Sequence, residues 1–340
     1  MRKLILIIII LSGLWGGYWV IGSTALETGA HNFLKTKHNA SAPVSVAYSD
    51  LSVRGFPNRF DTRLTDLDLV DHQNNIRWQA PFLQIYALSY KPYHVIAALP
   101  HAQRLEFQGQ NLQINSDEIK GSIVFDPKPI MQKALEIKRS SFVINALSLI
   151  SDKGWETSIK QANIATRQTP ANALHYDIAA AINDILLPAS LDALVDPMGQ
   201  HPNVVDVISL DLTVEYTHPW DVLASPNKRP KMRAATINSL SVSWGDIQLQ
   251  TSGALTIDPN GYPVGQLELV VTNWENLYDM AHNAHAIDPK SAASIRTGLK
   301  LLAGLSNGEN VIKAPLVFAN AQISLGPLAI GPAPRLPYRQ

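Results

Sequence analysis

The 340-residue chain contains no cysteine. That excludes disulfides, thiolate metal sites and a cysteine nucleophile together. Burial alone must hold the fold, so a sizeable core is required. Charge is also sparse. Asp, Glu, Lys and Arg make up 16% of the residues, and 28 basic side chains balance 28 acidic ones. A formal charge of zero leaves no electrostatic footprint for nucleic acid. The phosphate-cradling loops Gly-x-Gly-x-x-Gly and Walker A are missing. So is the Gly-x-Ser-x-Gly elbow of a serine nucleophile. The sequence therefore points to no cofactor and no catalytic serine.

What the chain does have is an apolar start. Arg2 and Lys3 precede residues 4–21, which carry no charged side chain. Eighteen helical residues reach about 27 Å, close to the roughly 30 Å of a bilayer's hydrocarbon core. Leu4, Ile7, Ile10, Trp15 and Trp19 are read as anchor residues. Trp15, Tyr18 and Trp19 cluster at the outer end, where amphipathic rings prefer the interface. The basic pair stays on the cytoplasmic side, so the rest of the chain is expected to be exported. An uncleaved signal-anchor is the reading adopted. The rival is cleavage after Ala25, with Ser23 and Ala25 as the small flanking residues. Residues 23–39 then read as a linker or a thin amphipathic helix bearing Leu26, Phe33 and Leu34.

From Pro43 onward the dominant pattern is alternation with period two. Val44, Val46 and Tyr48 alternate, then Leu51 and Val53. Phe60, Thr62, Leu64, Leu67 and Leu69 do so with one slip, the mark of a bulge. Similar runs follow through residue 125 and return after Asp206. Strands this closely spaced, with no helices between them, pair antiparallel. A weak repeat joins the halves: Asn111-Leu112-Gln113-Ile114 leads to Asp126-Pro127 as Asp246-Ile247-Gln248-Leu249 leads to Asp258-Pro259. Each is read as strand, turn, strand. Short helices are expected over residues 129–138 and 179–195, the latter interrupted at Pro188. A helical pair is expected over 274–286 and 289–305, with Asn273 and Asp288 as N-caps and Pro289 at the first position.

The expected fold is mainly β with some helix (α+β): curved antiparallel sheets, two similar halves, a few packing helices and one transmembrane helix. The boundaries are 1–22 anchor, 23–42 linker or amphipathic helix, 43–129 first β half, 130–205 connecting mixed segment, and 206–340 second half with the pair 274–305.

Few residues suggest chemistry. His282 and His285 lie three apart on an expected helix, but the glutamate of a His-Glu-x-x-His metalloprotease is missing. Asp66, Asp68 and Asp71 loosely suggest a calcium loop; the intervening leucines fit a strand with an acidic outer face better. Arg59, Asp61 and Arg63 alternate on one strand face, where paired surface charges explain them more simply than catalysis.

Three turn motifs carry a resemblance. They are Gly55-Phe56-Pro57-Asn58-Arg59-Phe60-Asp61, Asp258-Pro259-Asn260-Gly261-Tyr262-Pro263-Val264-Gly265 and Leu325-Gly326-Pro327-Leu328-Ala329-Ile330-Gly331-Pro332. With them the chain resembles the DUF2125 family of uncharacterised alphaproteobacterial proteins, each with one N-terminal membrane segment. That resemblance implies kinship and assigns no catalytic residue. A looser likeness, over Gly253-Ala254-Leu255-Thr256-Ile257-Asp258 and Asn273-Trp274, is to the C-terminal region of AsmA-like envelope proteins. It implies a β-rich, inner-membrane-anchored protein associated with lipid transport.

Two functional readings remain. The first is a periplasmic protein that binds or hands on a lipid or another apolar ligand. The second is an envelope interaction module with a protein partner at a sheet edge or at the proline-rich tail. The discriminating feature is whether the helices of 274–305 cover the apolar sheet face or leave it open.

Overall fold

The structure is a computed structural model describing residues 1–37, 43–127, 134–224, 228–306 and 308–336. It divides into two compact units. The first comprises Met1–Phe125 with Phe142–Gly154, and the second Asp126–Ser141 with Trp155–Gln340.

The first unit opens with α1 (Arg2–Lys37), one unbroken helix of 36 residues. The expected change at residue 22 from anchor to linker leaves no break in it. Next come β1 (Val44–Ala47), β2 (Asp50–Arg54), β3 (Arg59–Asp71) and β4 (Ile76–Leu88). They continue into β5 (Lys91–Ala98), β6 (Ala102–Phe107), β7 (Gln110–Asn115) and β8 (Glu118–Phe125). β1 and β2 both pair antiparallel with β3, which pairs with β4. β4 then forks: Gln84–Leu88 pairs with β5, and Ile76–Gln79 with β6. A strand that changes partner along its length forces the sheet to curl.

The slip expected between Leu64 and Leu67 is real. Asp66 has φ +50° and faces Pro81, which has no N–H for the ladder. Pairing with β4 keeps one register on both sides of this kink, yet the inward phase flips. Leu64 and Leu67 therefore enter one core with Val46 and Leu51.

The second unit is a meander. Its strands are β10 (Glu156–Thr169), β11 (Asn172–Leu186), β12 (Val204–Tyr216), β13 (Met232–Trp244), β14 (Ile247–Ile257) and β15 (Pro263–Thr272). It continues in β16 (Val311–Ala319), β17 (Gln322–Leu325) and β18 (Leu328–Pro332), each pairing antiparallel with its sequence neighbour. β9 (Ile137–Ser151) supplies residues to both units.

The helices are α2 (Ala189–Val195), α3 (Trp274–Asn283) and α4 (Pro289–Leu305). α3 and α4 fall between β15 and β16, which pair directly, so both helices fold back over the sheet. Trp274, Tyr278, Leu302 and Ala303 bury themselves there on Val271, Ile312, Ala314 and Leu325. Complete burial of such a side chain contributes about 1.5–3 kcal/mol. The expected bounds of α4 hold. Asp288 caps it, accepting from the Lys290 N–H at 3.2 Å, with Pro289 following. Asn273 does not cap α3. It has φ +54°, and its side-chain amide donates to the Asp246 carbonyl at 2.7 Å.

Three expectations change. The helix over 179–195 is strand to Leu186 and helix only from Ala189. Ile178, Ala180 and Ile182 find partners in Leu212, Leu210 and Ile208, and this ladder overrides the helix preference of the alanines. Of the helix expected over 129–138, residues 129–133 lie outside the described residues and the rest is not helical: Glu136 bridges to Asp221 and Ile137 begins β9. In the repeat, Gln110–Asn115 and Glu118–Phe125 are two strands, whereas Ile247–Ile257 is one.

That single strand passes Gly253 at φ +143°, opposite Leu267, while Gly265, also at +143°, stands opposite Leu255. A Cβ on Gly253 would lie 2.5 Å from the Gln266 carbonyl oxygen. Backbone cannot move aside cheaply, so Gly253→Ala is expected to lose about 2–3 kcal/mol in chemical denaturation. Gly109 has φ +73° with nothing within 4 Å of its virtual Cβ. Gly109→Ala should lose about 1 kcal/mol, from backbone conformation alone.

Candidate membrane-facing site

α1 meets the first unit through its aromatic residues. Trp15 Nε1 donates to the Pro57 carbonyl at 3.0 Å, Tyr18 Oη to that of Ser89 at 2.6 Å, and Trp19 Nε1 to that of Arg59 at 2.8 Å. Residues 15, 18 and 19 share a helix face because three- and four-residue spacings do. Trp19 also stacks on Phe60, with centroids 6.1 Å apart, and meets Phe56 edge-on at 5.4 Å. The acceptors lie in the β2–β3 turn, at the first residue of β3 and in the β4–β5 turn, and the two turns are tied together where the Ser89 N–H donates to the Asn58 carbonyl at 2.9 Å.

Beyond the turns the contact continues. A Cβ on Gly22 would lie 2.8 Å from the Phe60 ring. Ser23 is buried, and Ala30 and Leu34 join the core of Val46, Leu51, Leu64 and Leu67. His31 Nδ1 and Tyr48 Oη share a hydrogen bond of 2.8 Å. α1 therefore packs along the sheet from Trp15 to Leu34 on the face of Gly16, Trp19, Ser23, Ala30 and Leu34.

The expected anchor residues separate into two groups. Leu4, Ile7 and Ile10 are exposed and make no contact with the body, whereas Trp15 and Trp19 bind it. Among the described residues α1 is the one helix long and apolar enough to cross a membrane, with a mean hydropathy of 2.3 over an 18-residue stretch.

Among the described residues, the second unit carries an apolar face that lies under α3 and α4 on β15 and β16, and that is buried again at Ala162 of β10, 3% exposed. Ala162, Ile182, Ile208, Val242, Leu249, Val271 and Ile312 stand opposite one another across successive ladders. A parallel row runs Ile164, Ala180, Leu210, Leu240, Thr251, Leu269 and Ala314. On β15 and β16 these rows are buried or packed under α3 and α4. On β11 and β12, and at Leu240 and Val242 of β13, the same rows are half-exposed. The helical pair thus answers the question posed by the sequence: it covers part of the face.

The suspected chemical residues are occupied elsewhere. His282 stacks on Tyr278, while His285 has φ +57° and bonds the Asn283 carbonyl. Among the described residues no group of three His, Asp or Glu is placed to hold a metal ion. Asp66 accepts from the Ser49 hydroxyl at 2.8 Å, and Asp71 from the Gln73 and Asn74 N–H groups of its turn. Arg59 pairs with Asp61 at 2.9 Å, while Arg63 turns away to lie 4.5 Å over the Phe82 ring.

Asp68 takes a two-pronged bond from Arg77, Nε to Oδ1 at 2.9 Å and Nη2 to Oδ2 at 2.6 Å. It sits beside a polar cleft of about 590 Å³ lined by Gln79, Gln103, Arg104 and Gln113. The Arg77 bonds hold its carboxyl below the usual carboxylate range.

Sequence reasoning missed Tyr18, Phe56, Ser89 and Gly22 as parts of a joint. The available signal was weak: small residues at 16, 23 and 30, spaced seven apart, on a segment dominated by its hydropathy. Gly22→Leu should push Phe60 out of its buried position, with a loss of about 1–3 kcal/mol. Limited proteolysis in detergent should then cut within residues 23–37 faster than in wild type. Gly29→Leu should leave the rate unchanged, because nothing lies within 4 Å of Gly29's virtual Cβ. The depressed Asp68 carboxyl sets a sign. Its stabilisation is full above about pH 4, its unfolded pKa, and fades as pH falls through the lower folded value. Acid titration of unfolding should be flatter for Asp68→Asn than for wild type.

No curated protein and no solved structure matches the chain, and the AsmA-like likeness finds no match. The model of an uncharacterised protein family conserved in bacteria, DUF2125, matches residues 19–334. That span takes in the helix contact from Trp19 onward, both turns and the whole meander. The chain belongs to the DUF2125 family.

Proposed function

We propose that the chain is a single-pass envelope protein. α1 anchors it in the bacterial inner membrane, its β body works on the periplasmic side, and the partly exposed face of β11–β13 takes up the acyl part of a lipid. The observation that carries this reading is the pair of apolar rows that run out from under α3 and α4 and stay half-exposed to β11. Strands of 13 to 15 residues give that face a length of about 40–50 Å. A contiguous, partly exposed apolar surface of this kind supports a binding site.

Orientation is supported by Arg2 and Lys3 ahead of the apolar run. Retention of the anchor is supported by Ser23, only 7% exposed within a packed helix. A peptidase site there is not presented as extended chain.

Native mass spectrometry of the full chain, released from bacterial membranes in mild detergent, should show bound lipid. Fluorescent fatty-acid probes should bind, and Leu210→Asp should weaken them at least tenfold. Leu301→Asp, on α4, should leave them unchanged. Absence of both bound lipid and probe binding would sink the reading.

A protein-interaction role is the alternative, favoured by a separate groove of about 610 Å³ on α4, lined by Gly298, Leu301, Leu305, Pro327 and Leu328. Leu301 is 69% and Leu305 81% exposed. In that case Leu301→Asp should abolish a defined protein cross-link in cells, and Leu210→Asp should not.

A further inference from the structure

The free part of α1 is too short to cross a bilayer. From Leu4 to Leu14 the helix is exposed and touches nothing in the body. Those eleven residues span about 16 Å, roughly half of a 30 Å hydrocarbon core. A span that begins at Leu4 needs about 20 residues and ends near Ser23. It therefore includes Trp15, Tyr18 and Trp19, the residues to which the two turns of the first unit are bonded. By helical rise Trp15 lies about 12 Å, and Trp19 about 6 Å, inside the outer end of that span.

The side chains at this level suit a bilayer. Phe56 is 62% exposed and Tyr90 55%, in turns that flank the helix on one unit. Around them stand Arg54, Arg59 and Lys91, all exposed. Aromatic tips with a basic rim are what the acyl–headgroup boundary of an anionic membrane attracts. In water, two exposed aromatic tips beside an apolar helix have no comparable partner.

Resting on the reading of α1 as the membrane anchor, we infer that the β2–β3 and β4–β5 turns are membrane-embedded. Phe56 and Tyr90 enter the outer leaflet, with Arg54, Arg59 and Lys91 at the phosphates. The partner is the lipid bilayer itself. β3 then leaves the membrane alongside the outer part of α1, and its 13 residues place the β3–β4 turn about 40 Å farther out.

The absence of native cysteine makes the test direct, because each single-cysteine variant carries one fluorescent label. The full chain is reconstituted in phosphatidylcholine–phosphatidylglycerol vesicles containing nitroxide lipids, with the spin label near the headgroup or deep in the chain. Asn58→Cys, in the β2–β3 turn, should be quenched at least twofold by the shallow nitroxide. Gln73→Cys, in the β3–β4 turn, should stay unquenched, and Ile9→Cys should respond to the deep nitroxide. Adding Phe56→Ser and Tyr90→Ser should reduce quenching at position 58.

Ile9 quenched with Asn58 as unresponsive as Gln73 would overturn the embedded turns while leaving the anchor standing. An unquenched Ile9 would overturn the anchor and this inference with it.

Discussion

Three hydrogen bonds govern how the first unit is built: Trp15 to Pro57, Tyr18 to Ser89 and Trp19 to Arg59. Each joins a side-chain donor of an apolar helix to a backbone carbonyl, two of them in turns and the third at the first residue of β3. Both partners need the bond. An indole N–H left unpaired in an apolar setting loses several kcal/mol, and turn carbonyls have no ladder partner of their own. At a bilayer boundary water competes less for such bonds, so they hold more firmly than the same bonds on a wet surface. The helix direction is therefore fixed against β3. Phe60 against Gly22, then Ala30 and Leu34 on the core of Leu51 and Leu64, carry that direction outward. One continuous helix, Arg2–Lys37, carries all of these contacts.

This joint explains why part of the fold was legible in the sequence and part was not. Period-two alternation exposed most strands because each has one inward face. The slip at Asp66 showed for the same reason, since a kink leaves Leu64 and Leu67 an odd number apart. α4 was legible in full because Asp288 and Pro289 are local signals read by the backbone beside them. The strand at Asn172–Leu186 was not, because Ala179, Ala180 and Ala181 favour helix and their ladder partners, on β10 and β12, are outside the local sequence. The docking face of α1 was hidden differently. Gly16, Ser23 and Ala30 allow close approach, and small residues give no hydrophobic contrast against a run of isoleucines.

The candidate chemical residues show the opposite bias. Histidines, alternating aspartates and clustered arginines attract notice in a sequence, yet here each has a structural partner. Asp68 belongs to Arg77, Asp71 to its own turn and His282 to Tyr278. The residues that shape the two surfaces of interest are Phe56, Tyr90, Leu210 and Ile208. None carries a motif, and their significance comes only from what stands beside them.

The open face of the second unit follows from dimensions. From β10 to β16 the meander is about 30 Å wide, at about 4.8 Å per strand. Over it fold one helix of 10 residues and one of 17, each about 10 Å across. Two such helices roof about 20 Å of width, and α3, only about 15 Å long, falls well short of the strands' length. Burial therefore has to stop partway, and it stops near β14, where Leu249 still packs under the helices and its partner Val242 does not. Without disulfides the covered half must supply the second unit's stability, through Trp274, Tyr278, Ile312 and their neighbours. The uncovered half is then free of that duty. Its apolar side chains stand where polar ones would cost the fold little, which is the physical reason the proposed lipid site is placed on β11–β13.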